Sequence, residues 1–413
     1  MTPAQILGQS FRLPNGTVIP NRLVKSAMSE ALGTPSGSPD ERLVRLYARL
    51  ADGGIGLSIT GNVMIDHRAL GEPGNVIVED ERDLAMLKRW AEAGKRNGGQ
   101  LWMQLNHPGK QAPRGLNKET VSPSAIPFRT ELATYFATPR ELQPAEIEDI
   151  IKRFGVSAAV AKKAGFTGVQ IHGAHGYLVS QFLSPHHNQR NDEWGGTPEK
   201  RRRFVLEVLK EIRRQVGKDF PIGIKLNSAD FQRGGFSEEE SIEAMQALAN
   251  AGIDMIEVSG GTYEAPAMTG KGKVKDSTKK REAYFLEFAE KARASVKVPL
   301  MVTGGFRSAE VMASAISSNA IDFVGLARSI AIEPDLPSKL LRGIPATYQV
   351  TPLSTGIKLL DSFAVLEIVW YARQLDRMGR GLEPNPHESP LLSFFANTVK
   401  SGIKGFKQRR TRA

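Results

Sequence analysis

No cysteine occurs anywhere in the 413 residues. Disulfides, thiolate-bound zinc, iron–sulfur clusters and cysteine nucleophiles are excluded together by that absence. Long apolar runs are missing as well. The most apolar late stretch, SFAVLEIVWYA at 362–372, is too short to cross a bilayer and carries Glu367. The opening, MTPAQILGQSFRLPNG, has no basic start followed by an apolar segment. A secretory leader is therefore not expected, and the cytoplasm is the default location.

Positive charge is in excess, at +11, but it is unevenly placed. Lys400, Lys404, Lys407, Arg409, Arg410 and Arg412 lie in a terminal tail without acids and carry about half of the excess. Such a tail is expected to be a solvated end. Its alternative is contact with an anionic membrane surface, because Leu392, Phe395, Val399, Ile403 and Phe406 form a stripe at helical spacing beside those lysines. Gly402 and Gly405 weaken that helix. The interleaving of aromatic and basic residues that single-strand binding needs is absent, so no nucleic-acid partner is expected.

What is present is alternation. A hairpin is predicted around Asn15–Gly16. Short apolar runs follow at 22–28, 55–63, 100–107, 168–174, 221–227, 254–260, 299–305 and 322–328. Helical segments separate them at 40–52, 81–97, 145–164, 198–216, 237–251, 280–296 and 307–318. Parallel neighbours need helical crossovers, so eight strands separated by helices predict an α/β fold, a (β/α)8 TIM barrel. A doubly wound sheet is the rival, and polar residues ending nearly every strand favour the barrel. Residues 107–144 read as a lid after strand three. Residues 260–280, with Lys271, Lys273, Lys275, Lys279 and Lys280, read as a solvated loop. The expected division is a barrel at 1–345 and a helical extension with the basic tail at 346–413. The apolar helix near 359–371 is read as core or as a contact between copies in a homo-oligomer.

The strand ends, which form the active face of such barrels, carry thirteen candidate residues, Ala27, Met28, Ser29, Gly61, Gln104, His172, His175, Tyr177, Lys225, Gly304, Gly305, Ala327 and Arg328, with Thr60 and Glu257-Ser259 beside them. Donors and small residues dominate over carboxylates. That argues against a two-carboxylate glycosidase and against a hard-metal site, and it suits an electron-rich, partly anionic ring. Gly304-Gly305 and Arg328 stand where these barrels usually hold a phosphate. The stretch VQIHGAHGYLVSQFLSP leaves three readings of His172 and His175: a metal pair, a packed pair, or a clamp on one substrate atom. His107, His186 and His187 are candidate third ligands, yet no acidic partner has suitable spacing.

The run HGAHGYLVSQFLSPHHNQRNDEWGG resembles the signature of the old yellow enzyme family of FMN-dependent oxidoreductases. NRLVKSAM, GLSITGNV, MQLNHPGK, KLNSADF and VGLAR extend the likeness in order over roughly residues 5 to 345. The resemblance implies a flavin-binding (β/α)8 barrel that reduces activated alkenes with NADH or NADPH. It places Ala27, Met28 and Ser29 beside the isoalloxazine, with the Ser29 hydroxyl near the O4/N5 edge. Gly61 would leave room for the ring, and Gln104 would pair with the pyrimidine edge through both amide groups. Lys225 would stand by N1 and O2, where many relatives have arginine, and Gly304, Gly305, Ala327 and Arg328 would hold the phosphate. His172 and His175 would bind the substrate oxygen, and Tyr177 would protonate the α-carbon.

A Rossmann fingerprint is not needed under this reading, since the nicotinamide shares the substrate pocket. GGIGLSITG has Ile59 where the third glycine belongs. The competing class is a flavin-free, phosphate-binding barrel of aldolase type, with Lys225 as the Schiff-base lysine.

Overall fold

The computed structural model describes residues 1–262, 264, 285–346, 353–357, 365–396, 398, 399, 402 and 405. Eight parallel strands run Leu23–Lys25 (β1), Leu57–Met64 (β2), Gln100–Asn106 (β3), Gly168–Gly173 (β4), Ile222–Asn227 (β5), Met255–Ser259 (β6), Leu300–Thr303 (β7) and Phe323–Leu326 (β8). Each pairs with the next, and β8 pairs back with β1, which closes the barrel. All eight coincide with the apolar runs expected from the sequence, each trimmed by one to four residues, and β2 runs one residue further, to Met64.

The crossovers are Glu41–Asp52 (α1), Leu84–Gly94 (α2), Pro144–Lys163 (α3), Pro198–Val216 (α4), Glu238–Asn250 (α5), Leu286–Arg293 (α6) and Ala309–Ser317 (α7). Their starts follow local chemistry. Asp40 caps α1, Thr197 caps α4 with Pro198 at its first turn, and Ser237 with Glu240 forms a capping box on α5. The main core lies between strands and helices, as the fully buried Leu46, Phe154, Phe204, Ile212 and Leu248 show.

A second core fills the barrel's lower end. Trp102 lies there with Val24, Leu57, Ile59, Met255, Met301 and Phe323. Gly168 and Gly223 make its room, since a Cβ on them would meet the indole at 2.5 and 2.8 Å. The expected hairpin forms between Phe11–Arg12 and Val18–Ile19, turning at Gly16, φ 91°. Its Leu13 and Ile19 plug that end. Period-two alternation then lifts Gln104, Gln170, Lys225, Glu257 and Thr303 toward the opposite, upper end.

The segment at 107–144 carries a small parallel pairing of Val121–Ser122 with Arg140–Glu141, and none of its described residues lines the cleft at the strand ends. A helix at Val365–Gly379 (α8) belongs to the extension and is tied to α1: Arg45 Nε donates to Gly379 O at 2.7 Å. Leu392, Phe395 and Val399 are exposed, whereas Ile403, Phe406, the tail cations and the loop lysines 271–280 lie outside the described residues. Among the described residues no helix is long and apolar enough to cross a membrane.

Candidate active site

The upper ends of the strands surround a cleft of about 1160 Å³ that opens to solvent. It is lined by Ala27, Met28, Ser29, Gln104, His172, His175, Tyr177, Lys225, Gly304, Ala327 and Arg328. Eleven of the thirteen residues singled out from the sequence thus face one space. Gly61 and Gly305 do not line it. A Cβ on Gly61 would meet Met28 O at 2.5 Å and the Glu30 carboxyl at 2.9 Å. Gly61 therefore makes room for the chain segment that carries Met28, rather than directly for a ring.

The two histidines are held differently. His172 is buried, and its Nδ1 accepts from Ala174 N at 3.4 Å, which leaves Nε2 to carry the proton. His175 adopts a left-handed φ of 61°; its backbone N donates to Asn227 Oδ1 at 3.1 Å, and its Nε2 contacts Ser259 Oγ at 2.7 Å. Burial pushes the His172 imidazole well below the usual range, with His175 and Lys225 adding to it. Burial and Lys225 take His175 down to about 3. Both rings are neutral donors at ordinary pH. The Tyr177 ring stands against His172, centroid to centroid 4.8 Å, and begins the short helix Leu178–Leu183.

Lys225 Nζ lies 3.1 Å from Glu257 Oε1 and donates to Ala27 O at 3.4 Å. An amine so tied is not the free nucleophile that a Schiff base needs. Its charge nonetheless reaches the cleft. Gln104 donates from Nε2 to Gln170 Oε1 at 2.8 Å. One N–H of Gln104 thus turns inward, and the cleft keeps its oxygen and the other N–H, both of the amide groups expected from the sequence to pair.

Two further departures concern the ends of the cleft. The Ser29 hydroxyl donates to Glu72 Oε1 at 2.5 Å, so its proton is already placed. Arg328 Nη1 lies 3.0 Å from Glu367 Oε2. Glu367, Ile368 and Tyr371 of α8 all line the cleft, while Trp370, Leu375 and Met378 pack in the main core, so the helix read as core or oligomer contact is core and also part of the site. The charged Glu367 inside an apolar run was its one sequence signal. Ser259, counted among the strand ends, lines the cleft as well, whereas Asn62 and Thr303 were missed although the barrel rule would have found them.

The residues fit a flavin phosphate cofactor. Gly304 and Gly305 turn at φ 110° and 88°, which a side chain would strain, and Gly304 lines the cleft together with Arg328. Lys225 supplies positive charge and Gln104 a paired acceptor and donor.

The metal question moves elsewhere. His186, His187 and Glu264 offer ligand atoms within 4.8 Å of one another, away from His172 and His175. Glu264 Oε1 accepts from Arg129 N at 3.0 Å, and Lys110 feels its charge while burial pushes that ammonium down to about 8. The Arg129 guanidinium at 3.9 Å from Glu264 and the Lys110 ammonium both act on that carboxylate, so a divalent ion there would meet two like charges. His107 lines a separate cleft with Asp66 and Arg68.

A family model described as the NADH:flavin oxidoreductase / NADH oxidase family matches residues 10–347. The chain is 38% identical over 412 residues to the NADH-dependent flavin oxidoreductase iccE of Talaromyces variabilis, with 91% of this chain and 98% of that protein covered. It is 37% identical over 349 residues to the NADH-dependent flavin oxidoreductase iliE of Hypocrea jecorina, covering 79% and 86%. Among solved structures it is similar to an old yellow enzyme homologue from Zymomonas mobilis, with TM-score 0.71, 25% identity and coverage of 83% and 94%. Morphinone reductase in complex with tetrahydroNAD gives TM-score 0.70, 25% identity and coverage of 84% and 93%.

Proposed function

The chain belongs to the NADH:flavin oxidoreductase / NADH oxidase family, and from that premise we propose that it reduces the activated C=C bond of α,β-unsaturated carbonyl or nitro compounds, with FMN as its flavin. The observation that carries this reading is two neutral buried histidines and a tyrosine lining one cleft with Lys225 and Arg328, each cation paired with a carboxylate. When bound, FMN supplies a two-electron carrier that stores one hydride between the half-reactions of a ping-pong cycle driven by NADH or NADPH.

The protein's own residues do the rest. His172 offers Nε2–H to the substrate oxygen, and His175 faces the same space. As hydride adds at the β-carbon, negative charge builds on that oxygen, and preorganised neutral donors stabilise it without first having to lose a charge of their own. Tyr177 gives its phenolic proton to the α-carbon, so hydride and proton together saturate the bond. Lys225 favours electron-rich rings on its side of the cleft. Gly304, Ala327 and Arg328 would hold the phosphate, with Gly305 shaping the turn next to Gly304.

The test is to purify the protein, identify its chromophore and assay a panel of enones, nitroalkenes and unsaturated esters with either nicotinamide. A yellow protein that releases FMN and forms saturated products supports the reading. A colourless protein that takes up no FMN, or a yellow one that leaves every alkene unreduced, overturns it.

A further inference from the structure

Below the cleft, Glu257 is fully buried and accepts three hydrogen bonds or ion contacts. Its Oε1 receives Lys225 Nζ at 3.1 Å and Thr303 Oγ1 at 2.7 Å, and its Oε2 receives Gln170 Nε2 at 2.7 Å. Gln170 Oε1 in turn accepts from Gln104 Nε2 at 2.8 Å. Gln170 and Gln104 are both buried, and Gln104 alone of the two lines the cleft.

A carboxylate can only accept, whereas a side-chain amide can point either end forward. With Glu257 at the foot of the line, Gln170 must turn its nitrogen down and its oxygen up. Gln104 must then turn its nitrogen to Gln170, and its oxygen and second N–H remain for the cleft. We propose that Glu257 is a positioning residue: acting through Gln170, it sets the donor–acceptor polarity that Gln104 presents to the pyrimidine edge of the flavin.

That edge carries an N3–H donor between two carbonyl acceptors, so it is matched by an amide showing both an oxygen and an N–H. The inference rests on the flavin reading. Glu257→Gln keeps the shape but reverses the line. Lys225 and Thr303 are donors and hold the oxygen of the introduced amide, whose N–H then faces Gln170. Gln170 turns over, Gln104 follows, and two N–H groups face the cleft with no acceptor for N3–H.

Charge and polarity separate in a double variant. E257Q/Q170E moves the carboxylate one step along the line, where it accepts from the amide at 257 and from Gln104 Nε2. The amide polarity of Gln104 is restored while Lys225 still lacks its partner.

The experiment loads wild type, E257Q and E257Q/Q170E with FMN labelled with 15N at N3. Solvent exchange of N3–H is read by NMR, beside the FMN dissociation constant. One lost hydrogen bond predicts about tenfold faster exchange and about tenfold weaker FMN in E257Q, with exchange returned to the wild-type rate in E257Q/Q170E. Unchanged exchange in E257Q overturns the proposal, as does exchange in the double variant that stays fast. If E257Q does not fold, the double variant decides alone: wild-type exchange supports the polarity line and fast exchange overturns it. Wild type that binds no FMN is a different result, which removes the flavin reading and this assignment with it.

Discussion

Arg328 and Glu367 form an ion pair at 3.0 Å across the mouth of the cleft, 39 residues apart in sequence. The arginine expected to hold a phosphate is therefore shared with a carboxylate from α8. Any phosphate there competes with Glu367. Glu367→Gln is expected to tighten FMN binding by about tenfold, the scale of a partly buried pair. Riboflavin, which lacks the phosphate, should bind unchanged. Titration of both flavins checks this, and equal tightening of the two would show that Glu367 acts on something other than the phosphate.

Tyr177 bears only on the second half-reaction. Tyr177→Phe should leave flavin reduction by NADH nearly intact and slow alkene reduction by about 10²–10⁴-fold. Stopped-flow measurement of the two half-reactions separates them. Equal losses in both would remove Tyr177 from proton donation.

His172 donates as a neutral ring. His172→Ala should slow alkene reduction by about 10²–10³-fold. Since burial keeps His172 well below its usual range and His175 near 3, alkene affinity should stay flat from about pH 5 to 8 with respect to this pair. A titration of alkene affinity near pH 6.5 that disappears in His172→Ala would contradict the neutral assignment.

The same depressed values govern stability. Burial lowers His107 to about 4 and His175 to about 3, and holds His172 and His187 well below their ordinary values. The unfolded chain binds protons at these rings below about pH 6.5, whereas the folded chain does not. Their contribution is complete above about pH 6.5 and is lost as pH falls toward 4, at up to about 1.4 kcal/mol per unit for each ring. Urea midpoints across that window, for wild type and His107→Asn, give the slope; removing one ring should make it shallower.

Gly61→Ala tests the backbone approach. Its Cβ would press on Met28 O at 2.5 Å and on Glu30, whose Oε1 also accepts Gly61 N at 3.2 Å. A loss of about 1–3 kcal/mol is expected, together with weaker flavin retention as Met28 shifts. Thermal melts and flavin release on gel filtration read the two effects.

The fold was legible because its signals are local. Strand and helix periods, the caps at Asp40, Thr197 and Ser237, and polar residues at strand ends all sit within a few residues of one another. The barrel rule then carries those ends to one face, which is how residues as distant as Ala27 and Arg328 could be grouped from sequence. The segment at 107–144 was rightly separated from the crossovers, but its Val121–Ser122 pairing with Arg140–Glu141 was not foreseen, because two-residue strands leave no period to read.

By itself the sequence determined the parallel barrel, the donor-rich face and the motif around His172, His175 and Tyr177. Only the tertiary structure decided how those side chains are committed. Ser29 gives its proton to Glu72, Arg328 shares its fork with Glu367, and Gln104 answers through Gln170 to Glu257, at separations of 43, 39 and 87 residues along the respective bonds to the carboxylates. Periodicity places a side chain on a face. Which acceptor it meets there depends on barrel closure and on the docking of α8, and neither is a local property of the chain.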